Sequence, residues 1–180
     1  MKSNPDQYEI STITKGGLEV VIRPIRADDA PLLEALFDTL SPKSLYFRFF
    51  MRIKKPSKEM LAKLMEIDHG RDAVLIATER KEGREQILGV FRLMCYPDRK
   101  QGEFSLLVGD PWQGKGVGAK LLEHGLSIAK KRGMESVFGM ALPENKTMLA
   151  LARKRGFAIT WDSDVCAYEM TINLTRINRN

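Results

Sequence analysis

The sequence predicts an α/β fold in which a mixed, mostly antiparallel sheet contains one strand–helix–strand crossover and carries flanking helices. Apolar residues recur at helical spacing between Asp28 and Met65, and then form short strand-like runs: "AVLIATE", "QILGVFRLM" and "EFSLLVG". Beyond them the pattern alternates helix, strand and helix, and it closes on two more strands. A chain that begins as a meander and ends in such an alternation is expected to combine antiparallel and parallel pairing.

The composition indicates one domain with one good core. The chain has 180 residues, of which 43% are hydrophobic, and its net charge is +6. We assign residues 18–174 to the α/β domain, residues 1–17 to an N-terminal extension or hairpin strand, and residues 175–180 to a C-terminal tail. The positive charge suits polyanions, but it does not choose between nucleic acid, a membrane surface and a phosphorylated small molecule.

Several classes of protein do not fit the sequence. No apolar run is long enough to span a membrane, and "MKSNPDQYEI" lacks the apolar centre of a signal peptide. Cys95 and Cys166 show no metal-ligand spacing, and we expect both to be small buried residues of a cytoplasmic protein. His69 and His124 are too scattered for a metal site, and we expect His124 to lie exposed on a helix. We therefore expect no metal and no membrane partner.

The first third of the chain predicts a hairpin followed by three helices. "YEISTIT" and "LEVVIRPI" flank Lys15-Gly16-Gly17, where glycine permits a turn. Asp28 can cap a helix that has Pro31 in its first turn. Its apolar positions keep helical spacing: Leu32, Leu33, Leu36, Phe37 and Leu40. "SLYFRFFM" predicts a second helix, and a third begins near Ser57.

The rest of the chain predicts six strands and two helices. Turns near Gly83 and Pro97-Asp98 separate the three strands of the meander. A helix from Val117 to Arg132 ends at Gly133, and "SVFGMAL" is the strand after it. Asn145 can cap a further helix, which Gly156 closes, before "FAITWD" and "VCAYEMTINL" form a hairpin.

The loop "GDPWQGKGVG" leads from a strand into a helix, which is the geometry of an anion site. Unpaired N–H groups in the first turn of a helix and the helix dipole attract negative charge, and glycine lets phosphate oxygens approach the backbone. Gly109 through Lys115 match a P-loop except that Gly116 stands where a Ser or Thr should bind Mg²⁺. Gly114, Gly116 and Ala119 match a dinucleotide fingerprint, but barely 60 residues follow, and they end in a hairpin.

A third pattern, Q/R-x-x-G-x-G/A, is met by Gln113, Gly116 and Gly118. "LLVGDPWQGKGVGAKLLEHGLSIAKKRG" resembles the acetyl-CoA-binding segment of the GNAT superfamily of N-acetyltransferases, and "LPENKTMLALARKRGF" resembles its second CoA-contacting segment. The order of elements is similar to that fold over residues 18–174. "IRPIRADDAPLLEALFDTLSPKSLYFRFF" and the two segments above are also similar to the acetyltransferase domain of bacterial protein lysine acetyltransferases of the Pat type.

The resemblance implies a GNAT fold and acetyl-CoA as cosubstrate. It also implies that the strand ending in "LLVGD" splays from its neighbour and leaves a backbone N–H near Val108 for the thioester carbonyl. The implied cofactor-binding residues are Leu107, Val108, Gln113, Gly114, Lys115, Gly116, Val117, Gly118, Asn145 and Met148. Lys115 and Lys120 are possible charge partners of the pyrophosphate, although solvated helix charges explain both lysines equally well.

The resemblance further implies an acceptor amine, for which we expect a protein lysine such as that of an acyl-CoA synthetase. "SLYFRFFMRIKK" mixes aromatic and basic residues, as nucleic-acid surfaces do, but Leu45, Phe49 and Phe50 have the helical spacing of core positions. We therefore expect no nucleic-acid partner. In a GNAT fold this region borders the acceptor groove, so Tyr46, Phe47 and Arg48 could contact substrate.

Glu103 is the candidate catalytic residue. Alternation along "EFSLLVG" places Phe104, Leu106 and Val108 on one face of the strand and Glu103 on the other, with Ser105 and Leu107. A carboxylate in a half-buried strand is costly unless it is paired, so it indicates either function or an edge-strand salt bridge. Pat-type domains have their catalytic glutamate at this position, which favours a general base that takes a proton from the amine.

One position departs from the family pattern. Many GNAT enzymes carry a tyrosine four residues before the glycine of Gly-Phe, where it protonates the leaving thiolate, and this chain has Ala152. We assign no general acid, because a thiol with a pKa near 8.5 is a tolerable leaving group. Two rival functions stay open: a small-molecule amine N-acetyltransferase with a closed acidic pocket, and a non-catalytic acyl-CoA-binding or sensing module in which Glu103 is dispensable.

Overall fold

The computed structural model describes residues 8–68, 71–97 and 100–175. Four features of the predictions above lie outside those ranges: residues 1–7 of the N-terminal extension, His69, Asp98 and tail residues 176–180. The strands in chain order are β1 (Ile10–Ile13), β2 (Glu19–Pro24), β3 (Ala73–Lys81), β4 (Arg84–Cys95), β5 (Gln101–Val108), β6 (Ser136–Ala141), β7 (Ala158–Asp162) and β8 (Ala167–Asn173). The α-helices are α1 (Ala30–Asp38), α2 (Pro42–Phe49), α3 (Lys58–Met65), α4 (Val117–Lys131) and α5 (Lys146–Lys154).

The strands form one mixed sheet in the order β1-β2-β3-β4-β5-β6-β8-β7. Every neighbouring pair is antiparallel except β5 and β6, which are parallel and joined through α4. The predicted fold class is therefore confirmed, including the crossover from β5 through α4 to β6. The predicted caps also hold at α5, where the Asn145 side chain accepts a hydrogen bond from the Met148 N–H, and after α4, where Gly133 has a φ of 77°.

Helices cover the two faces of the sheet over different strands. On one face α4 and α5 bury a core that includes Phe91, Phe104, Leu121 and Met170. On the other face α1, α2 and α3 pack on β2, β3 and β4, and the end of β5 contributes Leu107 to that second core. Burying such a side chain completely stabilises the fold by about 1.5–3 kcal/mol. As a result, the ends of β5 and β6 lie at the base of the space between α2 and α5.

Three residues outside the site differ from their predictions. Asp28 is exposed and does not cap α1, because residues Ala27–Asp29 form a 3₁₀ turn and Asp29 is the residue that precedes the helix. His124 is only 9% exposed, and its Nε2 donates to the Tyr8 carbonyl at 2.7 Å, so it is not a surface position. Cys166 is exposed rather than buried, while Cys95 is half-buried, and both thiols are free.

Candidate active site

The gap between β5 and β6 is the structural basis of the site. Along one edge β5 pairs with β4 from Gly102 to Val108. Along its other edge the parallel register with β6 stops at Glu103, opposite Phe138. β6 itself continues to Ala141, where it pairs with β8. Paired strands lie about 4.8 Å apart, so the loss of pairing after Glu103 opens a wedge between the two strands. The splay that the resemblance implies is present.

A cleft of about 420 Å³ occupies the wedge and the space above it. Its walls come from α2, the end of β5, the glycine loop and the first turns of α5. Eight of the ten predicted cofactor-binding residues line it: Leu107, Val108, Gln113, Gly114, Gly116, Gly118, Asn145 and Met148. The other two do not, since Lys115 points to solvent and the Val117 side chain is completely buried in the core.

The backbone N–H of Val108 faces this cleft. The Gly109 N–H donates to the Leu88 carbonyl at 2.9 Å, so at Gly109 the backbone polar groups point toward β4. In a strand these groups alternate sides, so those of Val108 point away from β4 into the wedge. The Val108 carbonyl does so, because it accepts a hydrogen bond from Gln113 Nε2 at 3.0 Å. Its N–H is placed to donate to an oxygen of a bound ligand.

The glycine loop presents the N-terminus of α4 to the same cleft. Gly116 precedes the helix with a φ of 90°, a conformation that glycine adopts without strain. The Lys120 N–H donates to the Gly116 carbonyl at 3.2 Å, so N–H groups before Lys120 have no partner within the helix. Together with the helix dipole they attract an anion such as a pyrophosphate.

A polar cluster connects α2 to the glycine loop. Ser44 Oγ donates to Asp110 Oδ1 at 2.6 Å, and the Ser41 N–H donates to Asp110 Oδ2 at 3.3 Å. Gln113 Nε2 lies 3.1 Å from Ser44 Oγ and 3.2 Å from Asp110 Oδ1. Ser44 and Asp110 were not among the predicted site residues. Asp110 lies just after the end of β5 and before Pro111, and a carboxylate at such a strand end indicates a polar contact in the adjoining loop. This cluster fixes α2 over the loop.

Glu103 lies at the apex of the wedge rather than in the cleft wall. Its Cα partners are Met94 on β4 and Phe138 on β6, and directly paired residues project from the same face of a sheet. The alternate residues Phe104 and Val137 lie in the core beneath α4, so Glu103 faces the opposite side. Met94 is 38% exposed and Tyr96 is 44% exposed, and the Tyr96 and Phe138 rings stack with centroids 5.9 Å apart.

Arg48, at the end of α2, is the charged group beside this apex. It lines the cleft together with Phe47, whereas Tyr46 does not. Burial lowers the pKa of Arg48, the neighbouring Arg92 lowers it further, and the charge of Glu103 opposes both effects.

Among the residues that the structure describes, no group of three or more His, Cys, Asp or Glu side chains could hold a metal ion. None of the described helices is long and apolar enough to cross a membrane.

The comparison with protein families decides the identity of the fold and site. The family model described as "Acetyltransferase (GNAT) domain" matches residues 19–158. The chain belongs to the GNAT acetyltransferase family. It is therefore an acyltransferase that uses acetyl-CoA, not a non-catalytic binding module.

Individual proteins are similar to this chain in sequence or in fold. An acetyltransferase of Pseudomonas aeruginosa is 29% identical over 148 residues, which cover 82% of this chain and 80% of the relative. The crystal structure of the GNAT domain of S. lividans PAT has a TM-score of 0.85 at 24% identity and covers 95% of this chain and 99% of that one. A Vibrio cholerae spermidine N-acetyltransferase, solved with CoA and spermine, has a TM-score of 0.69 at 15% identity and covers 87% and 96%.

Proposed function

We propose that this GNAT acetyltransferase acetylates the side-chain amine of a protein lysine, such as that of an acyl-CoA synthetase, with Glu103 as general base. The open sheet face around Glu103 carries the proposal. Met94 and Tyr96 are exposed on that face, and Phe138 is half-buried beside the carboxylate. A lysine on a protein surface can approach such a face with its apolar stem along the aromatic rings, whereas a small amine is held better in an enclosed pocket.

The proposed reaction is a direct attack of the amine on the thioester. A lysine with a pKa of about 10.4 is almost wholly protonated at neutral pH, so Glu103 takes a proton from it. The transfer runs through water, because five residues of β5, about 16 Å, separate Glu103 from Val108. The amine nitrogen then bonds to the carbonyl carbon, and the carbonyl oxygen gains negative charge. The Val108 N–H donates to that oxygen, a contribution worth roughly 3 kcal/mol in comparable sites.

Collapse of the tetrahedral intermediate breaks the carbon–sulfur bond and releases the CoA thiolate. The position of the family's tyrosine is Ala152 here, and its side chain is completely buried in the core. That position therefore supplies no proton. The thiolate leaves without a dedicated acid, because its conjugate thiol has a pKa near 8.5, and it takes a proton from solvent.

The test incubates the enzyme with acetyl-CoA and a purified acyl-CoA synthetase. Release of the CoA thiol measures the rate of transfer, and mass spectrometry of the synthetase locates the acetyl group. We expect one or a few labelled lysines, and loss of the label with Glu103→Gln. A labelled synthetase that is unaffected by Glu103→Gln would remove the base assignment. No labelled protein, with saturable turnover of a small amine, would replace the protein lysine by a small-molecule acceptor.

A further inference from the structure

Arg48 occupies a position between two cavities. It lines the main cleft and also a cavity of about 20 Å³ behind it, whose other polar lining residues are Arg92 and Ser105. The residue is the seventh of the eight in α2, which spans Pro42–Phe49. Its guanidinium thus stands beside the part of β5 that leads from the apex at Glu103 to the carbonyl-binding position at Val108.

The two arginines at this place differ in their bonding. Arg92 donates to the carbonyls of Lys63, Leu64 and Glu66 at 3.4, 3.3 and 2.9 Å, and it lies 3.7 Å from Asp72. Within the part of the chain that the structure describes, the Arg48 side chain makes no hydrogen bond and no ion pair. Its Cζ lies 5.3 Å from the centroid of the Phe49 ring. Arg92 is a structural cation, and Arg48 is not.

An unpaired guanidinium in this setting is unfavourable. Moving a charge away from water costs several kcal/mol unless it is paired, and a second cation nearby adds to the cost. Burial lowers the pKa of Arg48 for the same reason, because it disfavours the charged form of the guanidinium. Arg92 does not relieve it, because its buried Nε also lacks a partner among the described residues. The described residues give the Arg48 side chain no hydrogen-bonded anion, so its guanidinium at the cleft wall is available to an anion of a bound molecule.

The pyrophosphate of acetyl-CoA is not that anion. Ser44, which bonds to Asp110 at the glycine loop, precedes Arg48 by one helical turn on the same face of α2. Four residues correspond to about 6 Å along the helix axis, so Arg48 is displaced from the loop toward the reacting end of the cosubstrate. Arg48 also lines the small cavity with Ser105, which alternation along β5 places on the same face of the strand as Glu103. This is the acceptor side.

We propose that Arg48 binds a carboxylate that the acceptor carries next to its reacting amine. The inference rests on the proposed function, since it describes the acceptor of the same reaction. Glu103 faces the amine, Arg48 faces the carboxylate, and the planar guanidinium can hold both carboxylate oxygens at once. The carboxylate belongs either to an acidic side chain that flanks the acceptor lysine or to the acceptor itself if it is a small amino acid.

The experiment uses two matched substrate pairs with the purified enzyme and acetyl-CoA. The first pair consists of lysine peptides that carry Glu or Gln at each position neighbouring the lysine. The second pair is Nα-acetyl-lysine and its amide, which differ only in the carboxylate. We expect the acidic member to have a kcat/KM higher by roughly tenfold to a hundredfold, mainly through KM, as is typical of a charged hydrogen bond.

Substitutions then assign the preference to one residue. Arg48→Gln should bring the ratio within each pair close to one, Arg48→Lys should retain part of it, and Arg48→Glu should reverse it. The control is Arg52→Gln, which removes the same charge from an exposed position outside the cleft. Since the comparison within each pair is made on the wild-type enzyme first, a variant that folds poorly does not weaken it.

Each outcome separates this proposal from the one on which it rests. Preference for Glu peptides supports both proposals. Turnover of Nα-acetyl-lysine in preference to its amide, without turnover of either peptide, supports the role of Arg48 and overturns the protein lysine. Equal turnover of Glu and Gln peptides overturns the role of Arg48 and leaves lysine acetylation intact. Absence of turnover with all four substrates overturns both proposals. A preference that stays unchanged in the Arg48→Gln variant overturns the role of Arg48 alone.

Discussion

Glu103 and Phe138 form the last pair in the parallel register between β5 and β6, and the two strands diverge immediately beyond them. The divergence exposes the Val108 side of β5 to the cleft while Glu103 keeps neighbours on both flanking strands. A group held by two paired strands is positioned more rigidly than one on a loop. The geometry thus places a fixed carboxylate on the same strand as Val108, five residues and about 16 Å away along β5.

Replacing Glu103 by glutamine should remove catalysis and leave cosubstrate binding intact. We expect kcat to fall about 10²- to 10⁴-fold at neutral pH, the range that general base catalysis contributes. The Kd of acetyl-CoA, measured by calorimetry, should stay unchanged because Glu103 does not line the cleft. Glu79→Gln is the control, since Glu79 is also half-buried in a strand but lies on β3, where it accepts from Gln86 Nε2. Near-normal turnover of Glu103→Gln would exclude it as the base.

Gly116→Ala should weaken acetyl-CoA binding through the backbone. A Cβ at Gly116 would lie 3.0 Å from the Lys15 N, and its φ of 90° is strained for alanine. Gly83→Ala is the control, because Gly83 has a φ of 77° in the turn before β4 and an added Cβ meets nothing within 4 Å. Both variants should lose about 1–2 kcal/mol of stability. Only Gly116→Ala should raise the Kd of acetyl-CoA, and equal Kd values would remove the loop from the binding site.

Asp110→Ala should detach α2 from the glycine loop. The Ser44 hydroxyl and the Ser41 N–H would each lose their acceptor, which costs about 1–3 kcal/mol for each buried group left unpaired. We expect KM for both acetyl-CoA and acceptor to rise several-fold in steady-state assays. Asp38→Ala is the control, since Asp38 is exposed on α1 and its pair with Lys55 lies at the surface. Unchanged KM values for both substrates would show that the cluster does not position the site.

The sequence predicted the elements of the fold because each of them carries local signals. Asn145 has the side chain of a helix cap, Gly133 ends α4 with a positive φ, and the alternation around Glu103 matches the face it occupies. The two segments that resemble CoA-binding motifs also predicted eight residues that line the cleft. These features depend on residues near one another in the chain, where propensity and period are informative.

The errors concern contacts between distant parts of the chain. His124 is buried because Tyr8, far away in sequence, supplies the carbonyl that its Nε2 needs. Val117 fits the loop pattern, but its side chain lies in the core, a consequence of how α4 packs on the sheet. Asp29 rather than Asp28 is buried, because Arg23 on β2 binds the Asp29 carboxylate with two hydrogen bonds. No local pattern contains these partners.

The buried pair Arg23–Asp29 should make the stability of the enzyme sensitive to acid. Both side chains are 5% exposed, and two hydrogen bonds of 2.8 Å join them. Burial disfavours the charged Asp29, but the hydrogen bonds from Arg23 and from the Arg26 N–H outweigh it and hold the pKa of Asp29 below its ordinary value of 3.8. A lowered carboxyl pKa contributes stability at pH values above 3.8, and this contribution disappears as the pH falls through the folded-state pKa.

Asp29→Asn isolates this contribution. At neutral pH it removes the carboxylate that bonds Arg23 twice and leaves Glu85, 3.2 Å from Arg23, as the remaining anionic partner. We therefore expect a loss of about 2–3 kcal/mol in the free energy of unfolding by urea. The difference from the wild type should stay constant from pH 7 to about pH 5 and narrow below 3.8, where unfolded chains take up the proton. Asp38→Asn, at the exposed pair with Lys55, should change stability by less than about 1 kcal/mol at any pH. A difference that does not narrow on acidification would show that Asp29 stabilises α1 through its shape and not through its charge.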